Sequence, residues 1–250
     1  MVKRKWSAWV IGMSLVAGGA GVAQAQEGRA LIVAVDTALA PFEFKQGNEY
    51  VGFDIDLWAA LAREMNVTYK IQPIDFNGIV PGLQTKNIDA ALAGITIRED
   101  RKKVIDFSDP YYASGLSILV AEKNATIKSA GDLSGKLVAV KTGTATVDFL
   151  KREVPDAKLK LFPNIDNAYL ELATGRVDAA VHDTPNIQYY ANTAGKGRVK
   201  VVGAVKSGDQ YGIAFPKGSA LVPKVNDALK KVRASGEYEA IYVKWFGQKP

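Results

Sequence analysis

The chain has 250 residues, no cysteine, one histidine and a formal charge of +6, from 32 Lys and Arg against 26 Asp and Glu. That composition excludes disulfides, cysteine-ligated metals, a thiolate nucleophile and a histidine-rich metal centre. The surplus of base is too mild to imply a nucleic-acid partner.

Met1 to Lys5 form a cationic head, Trp6 to Ala20 follow without a charge, and Ala23-Gln24-Ala25 gives the small-x-small pattern of a cleavage site. Residues 1–25 are therefore predicted to be a signal peptide cut near Ala25. A membrane anchor needs about 20 mostly apolar residues, whereas this stretch is short and broken by Gly12, Gly18, Gly19 and Gly21. Cleavage takes away Lys3, Arg4 and Lys5 and no acid, which lowers the charge from +6 to +3. The expected product is a periplasmic protein without a lipidated cysteine, stabilised by core burial alone.

Beyond the signal, Leu31–Val35 reads as a strand, Ile55–Met65 as a helix, Tyr69–Ile74 as a strand, Ile79–Thr85 as a helix and Ala90–Ala93 as a strand. The alternation predicts an α/β fold with helices on the faces of its sheets. Asp54 is expected to cap the first of these helices, and Asp109-Pro110 to mark a turn. Neither Asp54-x-Asp56 nor Asp106-x-x-Asp109 carries the further oxygen ligands of a calcium loop.

An internal repeat predicts two lobes. The run Leu83 to Gly94, LQTKNIDAALAG, reads against Leu172 to Asp183, LATGRVDAAVHD, and Val33 to Thr37 reads against Val138 to Thr142 in the same order. Ligands of open α/β sheets sit beyond the carboxyl ends of the strands. The matched strands end at Asp36-Thr37, Gly94, Lys141-Thr142 and Asp183, so four strand ends nominate one cleft. Lys141-Thr142-Gly143-Thr144 reverses the order of a phosphate loop and lacks its upstream glycine. No Gly-x-Ser-x-Gly elbow is present.

The chain resembles the periplasmic solute-binding proteins for polar amino acids, and within them the glutamine-binding type. The resemblance rests on Pro41-Phe42-Glu43-Phe44, Tyr50 to Trp58, Asp75-Phe76, Ala93-Gly94-Ile95-Thr96, Arg101-Lys102-Lys103, Asp106 to Asp109 and Lys141 to Thr144. It continues through Pro163 to Tyr169, His182 to Asn186, Gln210 to Phe215 and Tyr242 to Gly247. It implies a two-lobed periplasmic-binding-protein fold of type II. Residues 26–110 and 212–250 would form a discontinuous large lobe and 111–211 the small lobe, with hinge crossings at Tyr111–Ser114 and Ser207–Tyr211.

The resemblance also assigns roles. From the residues alone, Arg101 is one more exposed cation, and Asp183 fits a helix cap while its match to Gly94 across the repeat and its place beside the only histidine favour a ligand role. The resemblance makes Arg101 the bidentate partner of a ligand α-carboxylate, helped by Thr96 and by the amides of Thr144 and Ala145, where a helix opens near Thr146. Asp183 and the Gly94 carbonyl, next to Ala93, would meet the α-ammonium. Asp36 and Lys141 would face a side chain that both accepts and donates, which selects a neutral carboxamide. Phe76 and the Leu39–Phe42 segment would sandwich the methylenes, and His182 would add an uncharged polar contact. Two positions depart from the glutamine-binding pattern, Leu39 for an aromatic and Ala145 for a glycine. The implied protein is a monomer without cofactor or metal that hands free glutamine to an ABC permease. The alternatives are a sensor for another polar amino acid such as arginine, lysine or histidine, and a dehydratase of cyclic acids on the same fold.

Overall fold

The computed structural model describes residues 29–250, and the expected signal peptide lies outside the described residues. The chain begins with β1 (Leu31–Asp36), a hairpin of β2 (Phe44–Gln46) and β3 (Glu49–Val51), and α1 (Phe53–Met65). It continues through β4 (Tyr69–Ile74), α2 (Phe76–Gln84), β5 (Ala90–Ala91), α3 (Glu99–Lys102) and β6 (Ile105–Phe107). The middle of the chain holds β7 (Tyr112–Ala121), β8 (Leu137–Lys141), α4 (Ala145–Glu153), β9 (Lys158–Phe162), α5 (Ile165–Ala173), β10 (Ala179–Asp183), α6 (Thr184–Asn192) and β11 (Val199–Tyr211). It closes with β12 (Ala214–Pro216), α7 (Leu221–Ala234) and α8 (Glu237–Phe246).

These strands build two five-stranded sheets, ordered β4-β1-β5-β12-β6 and β11-β7-β10-β8-β9. Parallel pairs at the centre of each sheet must be covered on both faces, so their strands are apolar throughout rather than alternating. In the second sheet Val138, Val140 and Val181 point to one core with Leu150 of α4. Ala139 and Ala180 point to the other with Tyr169 of α5. The result is two sheet-centred lobes. The chain passes between them from β6 to β7 and from β11 to β12.

The repeat in the sequence is a repeat in the sheets. Val33 and Ala34 of β1 pair with Ala90 and Ala91 of β5, and the matched Val138 and Ala139 of β8 pair with Ala179 and Ala180 of β10. The aspartate preceding each second strand repeats its bond as well. Asp89 accepts from the Ile32 amide at 2.8 Å, and Asp178 accepts from the Leu137 amide at 2.8 Å. A strand start thus finds an acceptor in the same way in both lobes.

Asp54 does not cap α1. The cap position is Gly52, and the first amides of the helix, those of Phe53 and Asp54, donate to the carbonyls of Pro41 and Phe42 at 2.9 Å each. A loop folded over the helix end does the work expected of a side chain. Gly52 has φ 142, and a Cβ there would lie 2.0 Å from the Phe42 carbonyl oxygen, so only glycine permits the approach. The crossing strands are anchored by aromatic packing: Tyr112 of β7 stacks on Tyr211 of β11 at 5.7 Å and on Tyr242 of α8 at 5.6 Å.

Candidate ligand-binding site

Between the lobes lies a narrow cavity lined by Asp36, Leu39, Phe76, Ala93, Gly94, Thr96, Lys141, Thr144, Ala145, His182 and Asp183. Its free volume of about 10 Å³ is far below the roughly 300 Å³ at which small-molecule clefts begin, so a ligand enters only when the lobes move apart. Eleven of the twelve sequence-nominated residues line it. The twelfth, Arg101, stands beside it.

The sheets explain the convergence. Asp36 ends β1, Lys141 ends β8, Asp183 ends β10 and Gly94 follows β5, so the carboxyl ends of four parallel strands meet at one place. Asp36 and Lys141, 105 residues apart, pair directly although each side chain is only 1% exposed. Asp36 also accepts from the Thr37 amide at 2.6 Å, which fixes its carboxylate. Thr144 caps α4 and its hydroxyl donates to the Lys141 carbonyl at 2.8 Å. The helix opens at Ala145, one residue before the expected Thr146, and Thr144 and Ala145 at its start line the cavity.

Arg101 belongs to the short α3 and is 8% exposed, while its neighbours Lys102 and Lys103 are exposed as a basic surface run would be. Its guanidinium donates to the Thr96 carbonyl at 3.0 Å and to the Gly143 carbonyl of the other lobe at 3.1 Å. It lies 5.5 Å from the centre of the Phe76 ring. Burial lowers its pKa to about 10, so it remains a cation at neutral pH.

Asp183 accepts from the Tyr211 hydroxyl, which in turn accepts from Ser114 at 3.0 Å. Burial raises the Asp183 pKa to about 6. Although Asp183 occupies the cap position of α6, its side chain makes no capping bond and lines the cavity instead. His182 is 2% exposed and neither ring nitrogen has a partner among the described residues. Burial, with the Lys141 charge nearby, holds it well below the usual imidazole range, so it is neutral. Gly94 has φ +54, and a Cβ there would come within 2.7 Å of Leu39 and 3.2 Å of Tyr211. The glycine lets the wall close.

Leu39 and Phe76 face the cavity as expected, but Phe42 does not. It is fully buried in the aromatic cluster, 4.9 Å from Tyr112 and 5.4 Å from Tyr211. Sequence reasoning missed several groups that hold the two lobes together. Tyr211 entered only as part of a crossing strand. Arg98 pairs with Asp148 of α4 at 2.7 Å, and Asn186 of α6 donates to the Ala40 carbonyl at 2.6 Å. Nothing local to these residues signals a partner in the other lobe.

The model of the bacterial extracellular solute-binding proteins, family 3, matches residues 31–248. The chain is 33% identical to the arginine-binding extracellular protein ArtP of Bacillus subtilis (strain 168) over 240 residues, 94% of each chain. It is 34% identical to the ABC transporter glutamine-binding protein GlnH of the same organism over 224 residues, with 87% of this chain and 81% of the relative covered. Among solved structures, an ancestral arginine-binding protein bound to glutamine superposes with a TM-score of 0.84 at 44% identity, covering 88% of this chain and 98% of the other.

Proposed function

The chain belongs to the bacterial extracellular solute-binding proteins, family 3, and from that premise we propose that it is the periplasmic amino-acid receptor of an ABC importer, with L-glutamine as its ligand. The observation that carries the choice of glutamine is the Asp36–Lys141 pair at one end of the cavity, beside an uncharged His182. A carboxamide bridges such a pair by donating its NH₂ to Asp36 and accepting from Lys141. Glutamate would meet Asp36 with like charge, and a guanidinium or ammonium would meet Lys141.

In this reading Arg101, Thr96 and the amides of Thr144 and Ala145 hold the α-carboxylate. Asp183 and the Gly94 carbonyl hold the α-ammonium. Phe76 and Leu39 enclose the methylenes. Residues 26–110 and 212–250 act as one lobe and 111–211 as the other, and the ligand draws them together because its partners are divided between the two. The closed monomer then docks on the membrane permease. Every charged group of the cavity is committed to the zwitterion or to the side-chain carboxamide, which supports a receptor rather than an enzyme.

A second reading, an arginine receptor, is supported by the ArtP relative. A thermal-shift screen of the common amino acids separates the two. A ligand at about 100 times its Kd stabilises by about 2.7 kcal/mol, and L-glutamine is expected to give the largest shift. A larger shift with L-arginine rejects glutamine.

A further inference from the structure

Behind the cavity wall lies a second pair of acids that ligand binding does not use. Glu43 and Asp54 are both fully buried. Asp54 Oδ2 accepts from the Tyr111 hydroxyl at 2.8 Å and from the Gly94 amide at 3.3 Å. Asp54 Oδ1 and both Glu43 oxygens have no donor among the described residues, and the Asp54 amide donates to the carbonyl of Phe42, the residue before Glu43, at 2.9 Å, so the two acids sit on adjoining backbone. Two bare carboxylates cannot coexist in so dry a place.

We propose that Glu43 and Asp54 share one proton, and that the resulting carboxyl–carboxylate bond is a positioning element that braces the ligand cavity from behind. Gly94 of the proposed amino-acid site and Tyr111 at the first crossing hang on it directly, so the inference rests on that reading of the cavity. Gly94 is held through its amide by Asp54. Leu39 lies next to the pair, its amide donating to the Glu43 main-chain carbonyl at 2.7 Å. Tyr111, at the start of the first crossing, is held through its hydroxyl.

The charged and titratable groups facing the pair from every side favour retention of the proton. Burial is the largest influence on Glu43, followed by the charges of Asp54 and Asp36, and these outweigh Lys141, so its pKa lies well above the usual carboxylate range. Burial raises Asp54 to about 7 against the bonds from Tyr111 and Gly94. Tyr112 and Tyr238 also feel the Asp54 charge, and both are held neutral.

The test compares the wild type with Glu43→Gln, whose NH₂ supplies permanently the donor that the shared proton supplies conditionally. In ligand-free protein, one proton held only by the folded state weakens the folding equilibrium about tenfold per pH unit above the ordinary glutamate pKa of about 4.3. Urea unfolding from pH 5 to 9 is therefore expected to show wild type losing ground to Glu43→Gln as pH rises. A difference that is flat with pH overturns the shared proton, and needs no ligand to do so. Calorimetric titration with L-glutamine and L-arginine at pH 7 then reads the bracing. Glu43→Gln is expected to keep the Kd of whichever ligand binds within about threefold, while Glu43→Leu, which leaves Asp54 without that donor, loses at least tenfold. Equal losses in both variants overturn the bracing. If neither amino acid binds the wild type, the functional reading has failed while the unfolding comparison still decides the proton.

Discussion

Each charge in the cavity is held by a residue that cannot be replaced without leaving something unpaired. In the proposed bound state, Asp183→Asn would strand the ligand ammonium and Arg101→Ala its carboxylate. Removing one partner of a buried ion pair costs about 3–5 kcal/mol, so both variants are expected to lose two orders of magnitude or more in affinity by calorimetry. Micromolar binding retained by either would show that its charge faces something other than ligand. Asp183 also gives the cavity a pH dependence whose sign reverses with ligand. Its folded pKa of about 6 exceeds the ordinary 3.8, so the empty folded protein holds a proton that the unfolded chain has released. This group therefore contributes full stability below about pH 4, loses it as pH rises to about 6, and changes nothing above. An ammonium beside it lowers its pKa, so melting curves with ligand should gain relative to those without as pH rises through 6. A ligand-induced gain that is constant from pH 4 to 7 would remove Asp183 from the ammonium site. The cavity residues were legible in the sequence because strand ends converge and the repeat marks those ends. Tyr211 was not, because its bond to Asp183 spans 28 residues and an aromatic in a strand ordinarily means core.

At the level of elements, sequence reading succeeded where one element carries its own periodicity and failed where one element completes another. Strands β1, β4, β8 and β10 announce themselves as apolar runs, and their pairing follows from the repeat. The start of α1 was misread because its cap is the Pro41–Phe42 backbone, delivered by a loop whose course depends on Gly52. The contacts between α3 and α4 were equally hidden, since Arg98 and Asp148 each look like surface charges. Their side chains are 24% and 53% exposed, which limits such a bridge to about 0.2–1 kcal/mol. Asp148→Asn is therefore expected to raise Kd only a few-fold, by faster release, and by the same factor for every ligand. Stopped-flow release of two different amino acids checks this. A ligand-dependent factor would mean that Asp148 touches the cavity chemistry rather than holding the lobes.

For the whole molecule, the decisive fact is that each lobe owns its cores. One pair of clusters surrounds the first sheet, including Phe53, Leu57, Phe215 and Leu229, and another surrounds the second, including Val138, Ile118, Tyr169 and Ile187. The apolar pattern of the sequence foretold those cores, but not how strongly the lobes depend on each other, because contacts across the cleft are few and polar. Apart from the crossing strands, they include Asp36–Lys141, Arg98–Asp148, Arg101 to Gly143 and Asn186 to Ala40. Interfaces of this kind leave relative motion as the default. A ligand whose carboxylate, ammonium and side chain each find partners in both lobes adds coupling that the empty protein lacks. Without ligand, the lobes should therefore unfold as two overlapping transitions in scanning calorimetry. With saturating amino acid both should rise and merge into one, since neither lobe can then unfold without releasing the ligand. A ligand that raises one transition and leaves the other in place would be bound by a single lobe, and the cavity between them would not be its site.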